Sequence, residues 1–258
     1  MSSIRNIMAI ADKELRSTFA SPIAYIIIGL FALLFGWFFY VFLTIFVRQS
    51  EQMMQFGGGA SPNVNQQMIR YVLQNAAIII LFVMPMITMR TYSEEKRSGT
   101  IELLLTSPLT DFQIIIGKFL GALGLYVAML FVTLLYMSIL FVYGNPEWRP
   151  VAAGYLGLLL MGGCFISVGL LISSLTKNQI VAGFLTFAVF LMLWVISWIG
   201  ESSGPTARAV VTYLSIVDHF EDFARGVIDT KHVIYYVSFI TFGLFLTAKS
   251  VDMERWRG

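Results

Sequence analysis

The sequence predicts an all-α membrane protein: six transmembrane helices, an N-terminal interfacial helix, helical pieces in the cytoplasmic loop between spans 2 and 3, and an amphipathic outer helix before span 6. Three observations carry this. Of the 258 residues 57% are hydrophobic and only 12% charged, with a mean hydropathy of +0.77, against roughly 25% charged in an ordinary soluble domain. Such a chain cannot coat a globule of its size with water-compatible surface. The 17 basic and 15 acidic residues are also segregated. Six apolar stretches, about half the chain, hold none of them, where random placement would put about 16. Each stretch is long enough, or nearly so, to cross a hydrocarbon core of about 30 Å.

In chain order the spans are predicted at Pro22–Val47, Tyr71–Met89, Phe119–Tyr143, Val151–Leu175, Ile180–Ile199 and Val233–Ala248. The first apolar run is far longer than the roughly 7 to 15 residues of a signal-peptide core, so it is expected to remain as the first span. Ser21 and Pro22 read as an N-cap with proline in the first turn, and Ser61 and Pro62 repeat that arrangement before the second span, after a flexible Gly57–Gly58–Gly59 loop. Pro85 should kink the second span, and Thr110 with Gln113 forms a capping box that starts the third helix below the membrane. The last apolar stretch is short, and Val227 and Ile228 before it allow an earlier start or local thinning of the bilayer.

Six spans place both termini on one side. The inner segments under this topology hold eleven basic residues and the outer segments six, which predicts cytoplasmic termini in the cytoplasmic (inner) membrane. Trp37, Phe38, Phe39, Tyr40, Phe42 and Phe46 crowd the outer half of the first span as an interfacial aromatic belt would.

The spans carry no Asp, Glu, Lys, Arg or His. Ion-coupled transporters need buried ionisable groups to bind the coupling ion, so this class is disfavoured, as is a self-contained membrane enzyme. His219 and His232 both fall in the last outer loop without metal-ligand spacing, Cys164 is a lone cysteine, and no phosphate-binding loop is present. No metal site, catalytic residue or nucleic-acid surface is therefore expected, and any transport must be energised by a partner. The polar groups inside the spans are hydroxyls and amides. Thr44, Gln74, Asn75, Thr186 and Ser197 could line a path for an uncharged or amphipathic cargo, or simply bond within their own helices. Gly117, Gly121 and Gly124 form a small-residue stripe that would let another helix approach closely.

Three amphipathic segments lie outside the spans. Before the first, Ile4, Ile7, Met8, Ala11, Leu15 and Phe19 share one face opposite Arg5, Asp12, Lys13 and Arg16, which describes an interfacial helix acting as an anchor or a lever. The loop TYSEEKRSGTIELLLTSPLTDFQIIIGK, from Thr91, reads as two short helices hinged at Gly99: a Thr91/Glu94 capping box opens the first, and Pro108 stops the second. It exposes Glu94, Glu95, Lys96, Arg97 and Glu102 beside an apolar row, Ile101 and Leu103 to Leu105, which suits either a protein-docking surface or a helix lying on lipid. In the last outer loop Asp218, Glu221, Asp222 and Arg225 face away from Tyr213, Leu214, Val217, Phe220 and Ala224, with Gly226 as the cap.

Residues Ser93 to Ala122, SEEKRSGTIELLLTSPLTDFQIIIGKFLGA, resemble the coupling region of type-2 ABC transporter permeases. The glutamates, the Gly-Thr pair, the leucine run, the Thr-x-Pro step and the Gly-Lys pair recur there in order. KELRSTFASPIAYI from Lys13, SSLTKNQIVAGF from Ser173 and RGVIDTKHVIYY from Arg225 are similar, more narrowly, to permeases of the gliding-motility and nitrous-oxide-reductase maturation systems. The resemblance implies one permease domain over residues 1–258: a connecting helix in 1–21, a coupling region in 90–118 and an outer loop in 200–232. It implies a second permease copy and two cytoplasmic ATP-binding subunits that hold the ATP and magnesium, with no cofactor in this chain. Lys13 and Glu14 would belong to the connecting helix; Glu94, Glu95, Lys96, Arg97, Gly99, Thr100, Glu102, Leu103 and Pro108 would meet the ATPase. The short outer loops leave any extracytoplasmic domain to an accessory subunit. The expected role is export of a hydrophobic or amphipathic, lipid- or polymer-like cargo; the alternative is a membrane scaffold that passes ATPase-driven movement to an envelope partner.

Overall fold

The computed structural model describes residues 3–55, 63–106, 108–144, 146–201 and 213–255, all of them helices and short connections. Among the described residues six helices are long and apolar enough to cross a membrane. Gly57–Gly59, Ser61 and Pro62, and the side chains of Leu103 and Ser197, lie outside the described residues.

Helix α1 (Ser3–Ala20) ends at Ser21, whose hydroxyl accepts from the Ile23 amide at 3.4 Å as α2 (Pro22–Gln55) begins with its proline. At about 1.5 Å per residue, 34 residues carry α2 well beyond the apolar core. A π-helical turn, Asn65–Ile69, leads into α3 (Arg70–Thr88), and Pro85 lies in the last turn of α3. Two short helices follow, α4 (Ser93–Ser98) and α5 (Thr100–Leu105). The expected Thr110/Gln113 capping box is formed and opens α6 (Asp111–Tyr143). Then come α7 (Trp148–Leu175), α8 (Gln179–Glu201), α9 (Ile216–Ala224), which Ser215 caps by accepting from the Asp218 amide, and α10 (Thr230–Arg255). Gly226, at φ 87°, ends α9 in the left-handed region where an L side chain is strained.

Helix α7 is the axis of the bundle. In its most apolar window 72% of residues are buried, against 22% for α2 and 17% for α8, so the latter two turn most of their apolar surface outward. Small residues make this centre possible: the Tyr126 ring fills the space a Cβ at Gly162 would need, and its hydroxyl donates to the Leu158 carbonyl at 2.7 Å. The aromatic row of α2 divides between two roles. Trp37 and Tyr40 are exposed, whereas Phe39 is buried and Phe38, Phe42 and Phe46 pack against the core.

Two local expectations are corrected. The Thr91/Glu94 capping box does not form, because the chain continues from α3 through a tight turn in which the Glu94 amide already bonds the Arg90 carbonyl. The buried stripe of α1 is also rotated from the expected one: Ile10 and Ala11 are buried, while Ile4 and Met8 are 72% and 60% exposed. Its inner face packs along the first turns of α6 rather than lying free in an interface.

Candidate functional site

At the end of the bundle where α1 and the end of α10 lie, α4 and α5 are held by a set of internal polar contacts centred on Lys118. This lysine stands two turns inside α6 and its side chain has no exposed surface. Its ammonium meets Glu14 of α1 at 3.1 Å, Glu95 of α4 at 2.8 Å and the Thr91 carbonyl at 2.9 Å, and lies 5.0 Å from the centre of the Tyr92 ring. Three oxygens match its three donors. Lys13 adds contacts of 3.4 Å to Glu95 and 3.5 Å to Glu14, so two cations face two carboxylates and the cluster is neutral. Burial alone would lower the Lys13 pKa, but attraction to Glu14 and Glu95 holds it above its ordinary value.

The glycine stripe of α6 is what brings α1 this close. A Cβ at Gly117 would come within 2.6 Å of Ile10, and one at Gly121 within 2.6 Å of the Glu14 Cβ. Gln113 fastens the start of α1 as well, donating to Ser3 at 3.0 Å and accepting from Asn6 at 3.3 Å.

A second set of contacts holds the other side of α4. A helix start needs acceptors for its free amides, and Ser173 of α7 supplies one: its hydroxyl accepts from the Tyr92 and Ser93 amides at 3.0 and 3.1 Å and donates to the Met89 carbonyl. Lys96 pairs with Glu254 of α10 and donates to the Ser174 carbonyl, while the Ser174 hydroxyl donates to Ser250 at 2.9 Å. Helix α4 is thus tied to α1 and α6 on one flank and to α7 and α10 on the other.

This corrects the expected surface. Glu95 and Lys96 spend their charges inside the protein, with side chains 16% and 6% exposed, and do not present a free face. The exposed residues are Glu94, Arg97, Ser98, Gly99, Thr100, Glu102 and Pro108. Gly99 ends α4 at φ 74°, and nothing lies within 4 Å of where its Cβ would be, so backbone conformation alone asks for glycine there. The Ser98 and Thr100 hydroxyls bridge the hinge at 2.9 Å. A cleft of about 320 Å³ opens beside it between α1, α2, α3 and α4, lined among others by Lys13, Glu14, Arg90, Glu94 and Thr100.

Lys13, Glu14 and Gly99 lie in this region as expected from the sequence, whereas Lys118, Ser173 and Glu254 join it without having been expected there. The readable signal for Lys118 was its position between Gly117 and Gly121, at the end of a span. The proposed path residues are not joined by any polar contact among the described residues. Thr44 and Asn75 donate to the Tyr40 and Tyr71 carbonyls of their own helices, and the buried Thr186 hydroxyl has no hydrogen-bond partner among the described residues. His219 and His232, unpaired in the sequence reading, are in direct contact at 2.5 Å.

Comparison with known proteins bears on this arrangement. The family model of ABC-2 family transporter proteins matches residues 59–214, more than half of the chain, which includes α3 to α8 and hence Gly99 and Lys118. Over 154 residues the chain is 29% identical to the probable multidrug ABC transporter permease YbhR of Escherichia coli strain K12 and, equally, to that of E. coli O157:H7; the alignment covers 58% of this chain. The match spans 41% of the length of those relatives.

Proposed function

Because the chain belongs to the ABC-2 transporter family, a family of multi-pass membrane permeases, we propose that it is the permease subunit of an exporter whose ATP is hydrolysed by separate subunits docked on α4 and α5. One observation carries this reading: a short helical hairpin, hinged at Gly99, exposes Glu94, Arg97 and Glu102 while its other side is bound by ion pairs to α1, α6 and α10. An element that is exposed on one side and firmly tied to several spans on the other passes a push on its surface into the bundle.

Around this core the remaining roles follow as proposals. The chain pairs with a second permease copy and two ATP-binding subunits that hold ATP and magnesium. Its termini face the cytoplasm, and any extracytoplasmic domain belongs to an accessory subunit. The cargo is hydrophobic or amphipathic, consistent with spans that lack charge, and the segments from Lys13, Ser173 and Arg225 support a place near the gliding-motility and nitrous-oxide-reductase maturation permeases. Reconstitution in liposomes with the ATP-binding subunit tests the reading. The permease alone should hydrolyse no ATP, and the complex, with two copies of each subunit, should turn over faster with an amphipathic cargo. Stimulation only by an envelope protein would favour a force-transmitting scaffold, and an active monomer without an ATPase would overturn the proposal.

A further inference from the structure

At the opposite end of the bundle two buried histidines form an arrangement that the transport reading does not use. His219 of α9 and His232 of α10 are each 6% exposed, and their Nδ1 atoms lie 2.5 Å apart. The far nitrogen of each ring points at an acceptor: His219 Nε2 is 3.0 Å from the Tyr213 carbonyl, and His232 Nε2 is 2.7 Å from the Asp222 carboxylate. A carbonyl and a carboxylate can only accept, so both Nε2 atoms must carry hydrogen. The Nδ1–Nδ1 contact needs one hydrogen more. Two neutral imidazoles hold two hydrogens and this chain of contacts requires three, so the pair carries one positive charge.

We propose that His219 and His232 form a binding site for a single shared proton, which latches the outer helix α9 onto the last span. Removing that proton sets two lone pairs against each other at 2.5 Å; adding another sets two N–H groups head to head. Either change opens the latch.

The surroundings fit a singly charged pair. Asp222 supplies the counter-charge, and Asp218 lies on the same helix; from the start of α10 come Asp229 and Lys231, which are paired to each other at 3.3 Å. The Tyr235 ring stacks on His219 at 3.8 Å, and the hydroxyls of Tyr235 and Tyr236 donate to the Leu214 and Ile216 carbonyls, so both sides of the contact are fastened to α10. Helix α3 reaches α9 through Arg70, which is engaged by Glu221 at 2.7 Å, and α7 meets it with Gly157 under Phe223. Burial, reinforced by the charge of His232 and opposed by the Tyr213 carbonyl, holds the His219 pKa below its ordinary value. A lowered histidine pKa means that the closed state resists the extra proton, and that closure is lost as pH falls through the lowered value.

The chain has only two histidines, so histidine-specific ¹⁵N labelling of the full chain in nanodiscs, purified through a tag without histidine, reads this pair alone. At pH 7 three of the four ring nitrogens should be protonated. As the pH is raised and the third hydrogen leaves, amide protection factors across Ile216–Ala224 should fall by up to tenfold per pH unit, the limit for one linked proton. Asp222→Asn, which keeps an acceptor but removes the charge, should release that hydrogen at lower pH. Two neutral rings at pH 7, or titration of both rings without change in protection, would overturn the proposal. So would stoichiometric zinc uptake at neutral pH, which would make the pair a metal site instead.

Discussion

A lysine with no exposed side-chain surface is tolerated at Lys118 because its charge is balanced by nearby carboxylates and it donates hydrogen bonds to Glu14 and the Thr91 carbonyl. Removing one member of a buried charged set costs more than the set itself contributes, because the partners stay buried without compensation. Lys118→Met leaves Glu14 and Glu95, only 18% and 16% exposed, with the largely exposed Lys13 as the one remaining cation of the cluster between them. The expected loss is about 3 kcal/mol, seen as a lower thermal inactivation midpoint in nanodiscs. Adding Glu95→Gln should restore part of it; a double variant as unstable as the sum of the singles would show that the carboxylates do not interact through Lys118. Gly99 was legible at this scale, since a glycine after a short charged helix announces a left-handed cap. Lys118 was not. Charge counting assigns a lysine beside a span to the loop, and nothing in a one-dimensional pattern says that Glu14, 104 positions away, will reach it.

Among the elements, α1 shows how close approach is encoded. Its contact with α6 depends on glycines spaced one turn apart, so side chains of α1 lie where a Cβ would otherwise sit. Gly121→Leu must displace Glu14, whose Cβ would be 2.6 Å from the new Cβ, and should raise amide exchange across Ser3–Ala20 at least tenfold while the spans stay protected. Gly29→Ala, with nothing within 4 Å, is the matched control and should leave exchange unchanged. Equal exchange in both variants would mean that α1 is held by lipid rather than by α6. The small-residue stripe was readable in the sequence, and so was the amphipathic character of α1, but their pairing was not. An apolar face meets lipid and protein equally well, so hydropathy alone could not show that Ile10 and Ala11 turn inward while Ile4 and Met8 stay out. The capping of α4 was misread for a similar reason: a Thr-x-x-Glu pattern names a local cap, whereas the acceptor comes from Ser173, some 80 positions on.

For the whole molecule, the six spans were legible because segregation of charge is a property of long segments and survives any detail of packing, whereas the burial of α7 at the centre was not, since its hydropathy lies within the range of the other spans. The side of the membrane rests on basic-residue counts and is open to direct measurement. Cys164 is fully buried, so an introduced cysteine reports without background. An impermeant thiol reagent on intact cells should label Glu147→Cys and spare Ser98→Cys, both exposed and at opposite ends of the bundle; the reverse pattern would invert the topology. The proposed coupling role requires that an ATP-binding subunit sit on the exposed side of α4 and α5. Charge-assisted hydrogen bonds are worth about 1.5 to 3 kcal/mol each, so Glu94→Arg combined with Glu102→Arg should reduce the ATP-binding subunit retained on nanodisc-bound permease at least tenfold, with Glu147→Arg as the wild-type-like control. Wild-type retention by both variants would contradict the account.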